Sequence, residues 1–491
     1  MPACLGLIVC TAWLPAQEMR TPSAPSQPRI HGPEVYGVRP GKPVIYRIPA
    51  TGVRPINFEA KGLPAALRLD ASTGIITGNA PSSPGRYTVT LRATNSKGSA
   101  RRAFTFLVGD KLALTPPMGW NSWYTHYNRV TDRTVRAAAD AMIASGMADY
   151  GYSYVNVDDC WMRLAGEGAR DAQGRQLTNE HFPDMQALAG YIHAKGLKAG
   201  LYTSPGPATC AKYEGAYGHE EQDARLFAEW GFDFLKYDWC SYSRIAKDRS
   251  LSELQKPYER MSSILKTLNR DIVHNFCQYG MGDVWKWGEA AGGECWRTTG
   301  DLGLEKDTRL PGFYSIGFKN AAAWEYARPG AWNDPDYILV GWYGDARGMR
   351  EPQKARLTAD EQYSYMSMWS LMASPLIFSG DMEKLDAFTL NVLCNSEVIA
   401  VNQDVLGRQA RIVRKTEEEF ILAKPLADGS VAVGLFNIGE NQRVLEVTAG
   451  DLGLRRVREV RDVWRQRQAG QGQAGLSVQV PPHGVEMFRV R

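Results

Sequence analysis

Hydrophobic and polar positions follow three successive rhythms along the chain. From about residue 29 to 109 they alternate in steps of two, as in Val44-Ile45-Tyr46-Arg47-Ile48, Tyr87-Thr88-Val89-Thr90-Leu91-Arg92-Ala93 and Ala103-Phe104-Thr105-Phe106-Leu107-Val108. Turn clusters such as Asp70-Ala71-Ser72-Thr73-Gly74 and Pro81-Ser82-Ser83-Pro84-Gly85 separate these runs. Short strands between Gly/Pro turns predict a small β-sandwich. From about 112 to 405, β-forming runs alternate with helical stripes. Strands are expected at about 118–123, 153–158, 197–202, 232–238, 272–278, 294–299, 332–334 and 375–379. Between them, Val135, Ala138, Ala139, Met142 and Ile143 are closed by Gly146, and Met185, Leu188 and Ile192 by Gly196. A third stripe joins Tyr258, Met261, Leu265 and Leu268. Eight such repeats over about 290 residues fit a (β/α)8 TIM barrel, typically about 250 residues long before insertions. A doubly wound sheet would want a glycine-rich phosphate turn after its first strand, and Met118-Gly119-Trp120-Asn121-Ser122-Trp123 is not one. Beyond about 408 the helical stripes stop. Strands at Phe420–Ala423, Ser430–Phe436, Leu476–Val480 and Val485–Val490 predict a second antiparallel β-sandwich, packed on the barrel.

At 491 residues and 44% hydrophobic the chain is too long for one core. Five segments are expected: a signal peptide over 1–16, a Pro/Ser-rich linker over 17–28, an Ig-like β-sandwich over 29–110, the barrel over 111–407 and the C-terminal sandwich over 408–491. The leader rests on the apolar run Cys4 to Leu14 followed by Pro15-Ala16-Gln17, too short to span a bilayer, although no Lys or Arg precedes it. It implies export to the periplasm or medium, and no other segment could cross a membrane. A net charge of +4 with interspersed signs gives no reason to expect nucleic acid as a partner. Arg455, Arg456, Arg458, Arg461, Arg465 and Arg467 are interleaved with Val457, Val460 and Val463, so they read as the solvated face of a strand pair. Outside the leader lie Cys160, Cys210, Cys240, Cys277, Cys295 and Cys394. In an exported protein some of them should pair. None has the close spacing of a zinc site, so no metal or other cofactor is expected.

Chemistry concentrates at the predicted strand ends. In Phe234-Leu235-Lys236-Tyr237-Asp238-Trp239-Cys240 an apolar run leads into a carboxylate, and alternation turns Lys236 and Asp238 to the same face. Other strand ends carry Asp158 and Asp159, Tyr202, Gln278, Arg297 with Asp301, and Asp336. Any one of these carboxylates could simply cap a helix. Five aspartates on one rim, beside Trp123 and Trp161, are harder to explain that way. Clustered acids with an aromatic wall suit a neutral polyol, and two carboxylates on one rim suit glycosidic cleavage. Lys236 would keep Asp238 ionised, and Arg297 would orient Asp301. Burial and like charges would raise one pKa, as a general acid needs.

Five stretches resemble the α-galactosidase (melibiase) family, glycoside hydrolase family 27 of clan D. They are Thr115-Pro116-Pro117-Met118-Gly119-Trp120-Asn121-Ser122-Trp123, Asn156-Val157-Asp158-Asp159-Cys160-Trp161, Lys236-Tyr237-Asp238, Trp332-Asn333-Asp334-Pro335-Asp336 and Val401-Asn402-Gln403-Asp404. The stretch from Gly62-Leu63-Pro64 to Thr77-Gly78 likewise resembles Ig-like modules attached to bacterial surface and secreted enzymes. The family resemblance implies a metal-free retaining exo-hydrolase that releases terminal α-linked galactose from oligosaccharides. It makes Asp238 the nucleophile and Asp301 the acid/base, their carboxyl groups about 5–6 Å apart. It places Trp123, Asp158, Asp159, Tyr202, Lys236, Gln278, Arg297 and Asp336 around the sugar. It also implies a Cys210–Cys240 disulfide, with Cys277–Cys295 a second candidate pair, and leaves Cys160 and Cys394 free. Cys277-Gln278-Tyr279 departs from the common Cys-Glu-Trp run near the 2-hydroxyl. An α-N-acetylgalactosaminidase, a β-L-arabinopyranosidase or an isomalto-dextran-cleaving enzyme therefore remains open. A non-catalytic carbohydrate-binding surface protein is the reading from another class, disfavoured because both candidate acids are present.

Overall fold

Eight short parallel strands surround the centre of the molecule: β1 (Met118–Asn121), β2 (Tyr154–Asn156), β3 (Lys198–Thr203), β4 (Phe234–Asp238), β5 (Val273–Cys277), β6 (Cys295–Arg297), β7 (Trp332–Asp334) and β8 (Leu376–Phe378). The computed structural model describes residues 18–166, 168–302, 309–344 and 351–491, so the expected leader over 1–16 lies outside the described residues. The strands hydrogen-bond in the order β8-β1-β2-β3-β4-β5-β6-β7. The ring closes just past β7, where Ile338 forms a parallel bridge with Phe378. There the Ile338 amide donates to the Ile377 carbonyl at 2.7 Å, and the Ser379 amide to Ile338 at 3.1 Å. This is the expected (β/α)8 barrel. Its strands are nearly all buried, as parallel strands covered on both faces must be.

The helices around the ring form where the stripes predict. Thr131 caps Asp132–Ala144 through a reciprocal capping box with Thr134, and Val135, Ala138, Ala139 and Met142 are its buried face. Glu220–Trp230 stops at Gly231, whose φ of 96° is the left-handed conformation that suits glycine. Ser250 caps Leu251–Thr267, which buries Tyr258, Met261 and Leu265.

The N-terminal sandwich pairs the sheet of Val35–Val38, Gly98–Val108, Gly85–Asn95 and Asn57–Lys61 with that of Pro43–Arg47, Ile75–Asn79 and Leu67–Leu69. It sits under the barrel floor, where chain segments enter the strands. There the Arg39 amide donates to Asp271 at 2.8 Å, Arg54 pairs with Asp149 at 2.6 Å, and the Lys198 ammonium lies 4.5 Å from the Tyr36 ring centroid. The module is therefore remote from the opposite rim. The C-terminal sandwich shares its core with the barrel through helix Ala359–Leu371. Every residue of that helix from Glu361 onward is buried, so it has no face turned to solvent beyond its first turn. Trp464 donates to Ser367 at 2.8 Å across this junction. Val457, Val460 and Val463 are buried while Arg461 and Arg465 pair with Glu397 and Glu486, in keeping with a solvated strand face.

The described part of the linker, residues 18–28, is clamped in place at Arg20. The Arg20 side chain is 2% exposed, bonds Asp360 at 2.6 Å and the Val485 carbonyl at 2.9 Å, and lies over the Tyr363 ring. A buried guanidinium with fixed acceptors holds the strap there, and one expectation does need correction, the second candidate disulfide. Cys277 and Cys295 are unbridged. The β5–β6 register places Cys295 beside Asn275, two residues short of Cys277. Two rises of about 3.3 Å plus the interstrand gap put the pair beyond disulfide reach. Cys210 and Cys240 are bonded, and Cys160 and Cys394 are free and buried. Among the described residues no helix is long and apolar enough to cross a membrane.

Candidate active site

Parallel closure brings all eight C-terminal strand ends to one rim, and every candidate side chain stands there or just beyond it. Asp158 follows β2 and is 1% exposed. Its carboxylate accepts from Asn121 Nδ2 at 2.8 Å, Lys236 Nζ at 2.9 Å, the Tyr337 hydroxyl at 2.9 Å and the Asp159 amide at 2.9 Å. Such a set of donors is what an ionised carboxylate needs when water is excluded. Asp159 accepts from the Cys160 amide at 2.7 Å and the Ala211 amide at 3.0 Å. Burial, with help from the Asp158 charge, pushes it up to about 7.

Lys236 is 7% exposed and sits in an aromatic cage, 5.9, 5.1 and 5.2 Å from the ring centroids of Trp123, Tyr202 and Tyr337. Its ion pair is with Asp158, not with Asp238 on its own strand. Same-face neighbours on a strand stand about 6–7 Å apart, whereas barrel curvature points Asp158 inward at the ammonium. Lys236 still favours the ionised form of Asp238 through space.

Asp238 is 5% exposed at the end of β4. Its Oδ1 accepts from the Tyr279 hydroxyl at 2.5 Å and its Oδ2 from the Tyr202 hydroxyl at 3.2 Å. Burial first, and then the negative charge of Asp301, raises it above the ordinary carboxylate range. Asp301 stands in a contrasting setting, with its side chain 34% exposed and Oδ1 held by Arg297 Nη2 at 3.2 Å. The same Nη2 lies 3.1 Å from Asp336 Oδ2 and donates to the Gly300 carbonyl at 2.8 Å. Asp336 also accepts from Tyr124 at 3.1 Å and from the Leu302 amide at 2.9 Å. Burial lifts it to about 6 against the pull of Arg297. Two unlike carboxyls thus share one rim: Asp238 dry and doubly hydrogen-bonded, Asp301 open to solvent and steered by a guanidinium.

Gln278 is buried, and its amide nitrogen donates to the Met281 carbonyl at 3.0 Å while Oε1 has no protein partner. With one amide hydrogen engaged, this glutamine offers the Oε1 acceptor, as a glutamate would, and also a second N–H that a glutamate lacks. Cys210, Cys240 and Asp238 lie close together, but the two sulfurs are bonded to each other, so this cluster is no thiolate metal site.

The family model described as "Alpha galactosidase A" matches residues 115–404. The chain belongs to the α-galactosidase A family. Residues 419–490 match its C-terminal β-sandwich domain, and 27–109 match a "Putative Ig domain". The α-galactosidase of Cyamopsis tetragonoloba is 36% identical over 82% of this chain and 93% of its own. α-Galactosidase A of Cellvibrio japonicus is 36% identical over 78% and 93%. A Bacteroides fragilis structure named a "putative alpha-galactosidase/melibiase" superposes with a TM-score of 0.88 at 36% identity, covering 94% of this chain and 98% of that one. α-Galactosidase I of Mortierella vinacea gives 0.70 at 29% identity, covering 78% and 98%.

Within this α-galactosidase A family member, sequence reasoning missed Asn121, Tyr124, Tyr279 and Tyr337, each donating to a rim carboxylate. Every one lies within two residues of a residue singled out from sequence. The available signal was a hydroxyl- or amide-bearing side chain beside a strand end.

Proposed function

We propose that this protein is a retaining exo-α-galactosidase in which Asp238 is the nucleophile and Asp301 the acid/base. One observation carries the assignment of roles: the buried Asp238 has both oxygens fixed, while Asp301, held by Arg297, keeps an open side toward solvent. An Asp238 oxygen attacks the anomeric carbon as the glycosidic bond breaks, and the departing oxygen takes the Asp301 proton. Asp301, now ionised, takes a proton from water, whose oxygen bonds the anomeric carbon as Asp238 leaves. The Asp158–Lys236 pair, Asp159 and Trp123 bound the hydroxyl side of the sugar, and Gln278, Arg297 and Asp336 face the 2-hydroxyl side. The carboxyl separation belonging to this mechanism is about 5–5.5 Å.

Turnover is tested with p-nitrophenyl α-galactoside, its 2-acetamido analogue and the β-L-arabinopyranoside. The α-galactoside is expected to be best, with α-galactose formed first by NMR, and Asp238→Asn to abolish turnover with little change in melting temperature. An active Asp238→Asn variant, or β-galactose as first product, would refute the assignment. We further propose export, supported by the apolar leader and the Cys210–Cys240 disulfide. A mature N-terminus near Gln17 in the exported fraction tests it.

A further inference from the structure

Tyr279 stands just past β5 with φ of 64°, a backbone conformation costly for an aromatic residue, about 1–3 kcal/mol. Gly280 follows at φ 84°, and a Cβ there would lie 2.3 Å from the Thr298 carbonyl, so the bend accepts only glycine. This tight turn delivers the Tyr279 hydroxyl to Asp238 Oδ1 at 2.5 Å and to within 3.6 Å of Cys210 Sγ. Tyr202 mirrors it, reaching Oδ2 at 3.2 Å and Cys240 Sγ at 3.2 Å. Two phenols backed by one disulfide therefore grip the two oxygens of one carboxylate, and the grip on Oδ1 is the shorter.

Accepting Asp238 as nucleophile, we propose that Tyr279 is a positioning residue that directs Oδ2 to the anomeric carbon and stabilises the Asp238 carboxylate when the glycosyl-enzyme breaks down. Oδ2 forms the bond to the anomeric carbon, and Oδ1 becomes the ester carbonyl oxygen, still accepting from Tyr279. In the second step the bond from Oδ2 breaks, its electron pair returns to the carboxylate, and the charge spreads onto Oδ1 against the Tyr279 proton. A hydrogen bond to a carboxylate is stronger than one to an ester carbonyl, so the interaction strengthens as the intermediate decomposes. Tyr279 keeps its proton throughout, because burial and the Asp238 charge push its phenol far above its ordinary range.

Other groups also bear on the Asp238 charge. They are Lys236 on its own strand, Asp158 after β2, Tyr202 on β3, Cys277 on β5, Tyr258 from helix Leu251–Thr267 and Asp301 after β6. Among the described residues Tyr279 is the one reaching Oδ1 with a short neutral donor, so its removal should be visible above that background.

The test is the full chain carrying Tyr279→Phe, with p-nitrophenyl α-galactoside as substrate. Loss of a donor to a charged oxygen predicts a kcat about 10- to 100-fold lower, a KM lowered with it as the intermediate accumulates, and a pre-steady-state burst of nitrophenol. The acidic limb of kcat/KM should move to higher pH by about one unit. Tyr279→Leu likewise carries no donor, and must show the same limb shift and burst. If either folded variant keeps the parental limb and shows no fall in kcat and KM together, Tyr279 is only a packing residue and the inference fails. Asp238→Asn run alongside separates the cases: if it is inactive while the Tyr279 variants behave like the parent, only this inference falls, whereas an active Asp238→Asn removes the proposed function itself.

Discussion

Replacing Lys236 by methionine removes a buried ammonium while keeping most of the stem that fills the cage of Trp123, Tyr202 and Tyr337. In the parent, Nζ and Asp158 Oδ2 are 2.9 Å apart, with Lys236 at 7% and Asp158 at 1% exposure. At an effective dielectric of 20 that contact is a gross attraction of about 6 kcal/mol, most of which offsets the cost of taking both charges out of water. Lys236→Met leaves Asp158 with only the neutral donors Asn121, Tyr337 and the Asp159 amide. Leaving one buried charge unpaired costs about 3–5 kcal/mol. Asp158→Asn should cost a similar amount by stranding the ammonium. The double variant strands neither member of this pair, and should recover about 2 kcal/mol or more relative to the sum of the singles. Urea unfolding followed by tryptophan fluorescence reads all four proteins without any substrate. Additivity within about 0.5 kcal/mol would refute the reasoning, because it would mean the two charges do not depend on each other.

Asp159, at about 7, and Asp336, at about 6, are raised above their ordinary value near 3.8. Folding therefore favours their protonated forms, and the stability they contribute is full below about pH 4 and lost as pH rises through about 6–7. The melting temperature of Asp159→Asn relative to the parent should improve steadily between pH 4 and 7.5, and a pH-independent difference would sink this. Arg20→Ala, which strips Asp360 and the Val485 carbonyl of a partner, should cost about 3 kcal/mol in urea unfolding and open the 18–28 segment to proteinase K. Unchanged stability and cleavage would show the strap to be superficial.

The barrel was legible because its helices and strands are local events: a stripe such as Val135, Ala138, Ala139 and Met142, a cap such as Thr131, a stop such as Gly231. The charged rim groups were legible for the same reason. Parallel closure brings every C-terminal strand end to one side, so naming the ends names Asp158, Asp238, Arg297 and Asp336 together. What stayed hidden depends on distances across the ring. Lys236 and Asp238 share a face in sequence, yet the ammonium is claimed by Asp158 from two strands away. Cys277 and Cys295 sit on neighbouring strands but two rungs out of step. Arg20 lies in a polar stretch that reads as a linker, and its acceptors are more than 300 residues away in the chain. Local chemistry decides which groups a strand end carries. Only closure of the barrel, through curvature and register, decides which of those groups meet, because a hydrogen bond needs about 3 Å and sequence spacing supplies no such distance between strands.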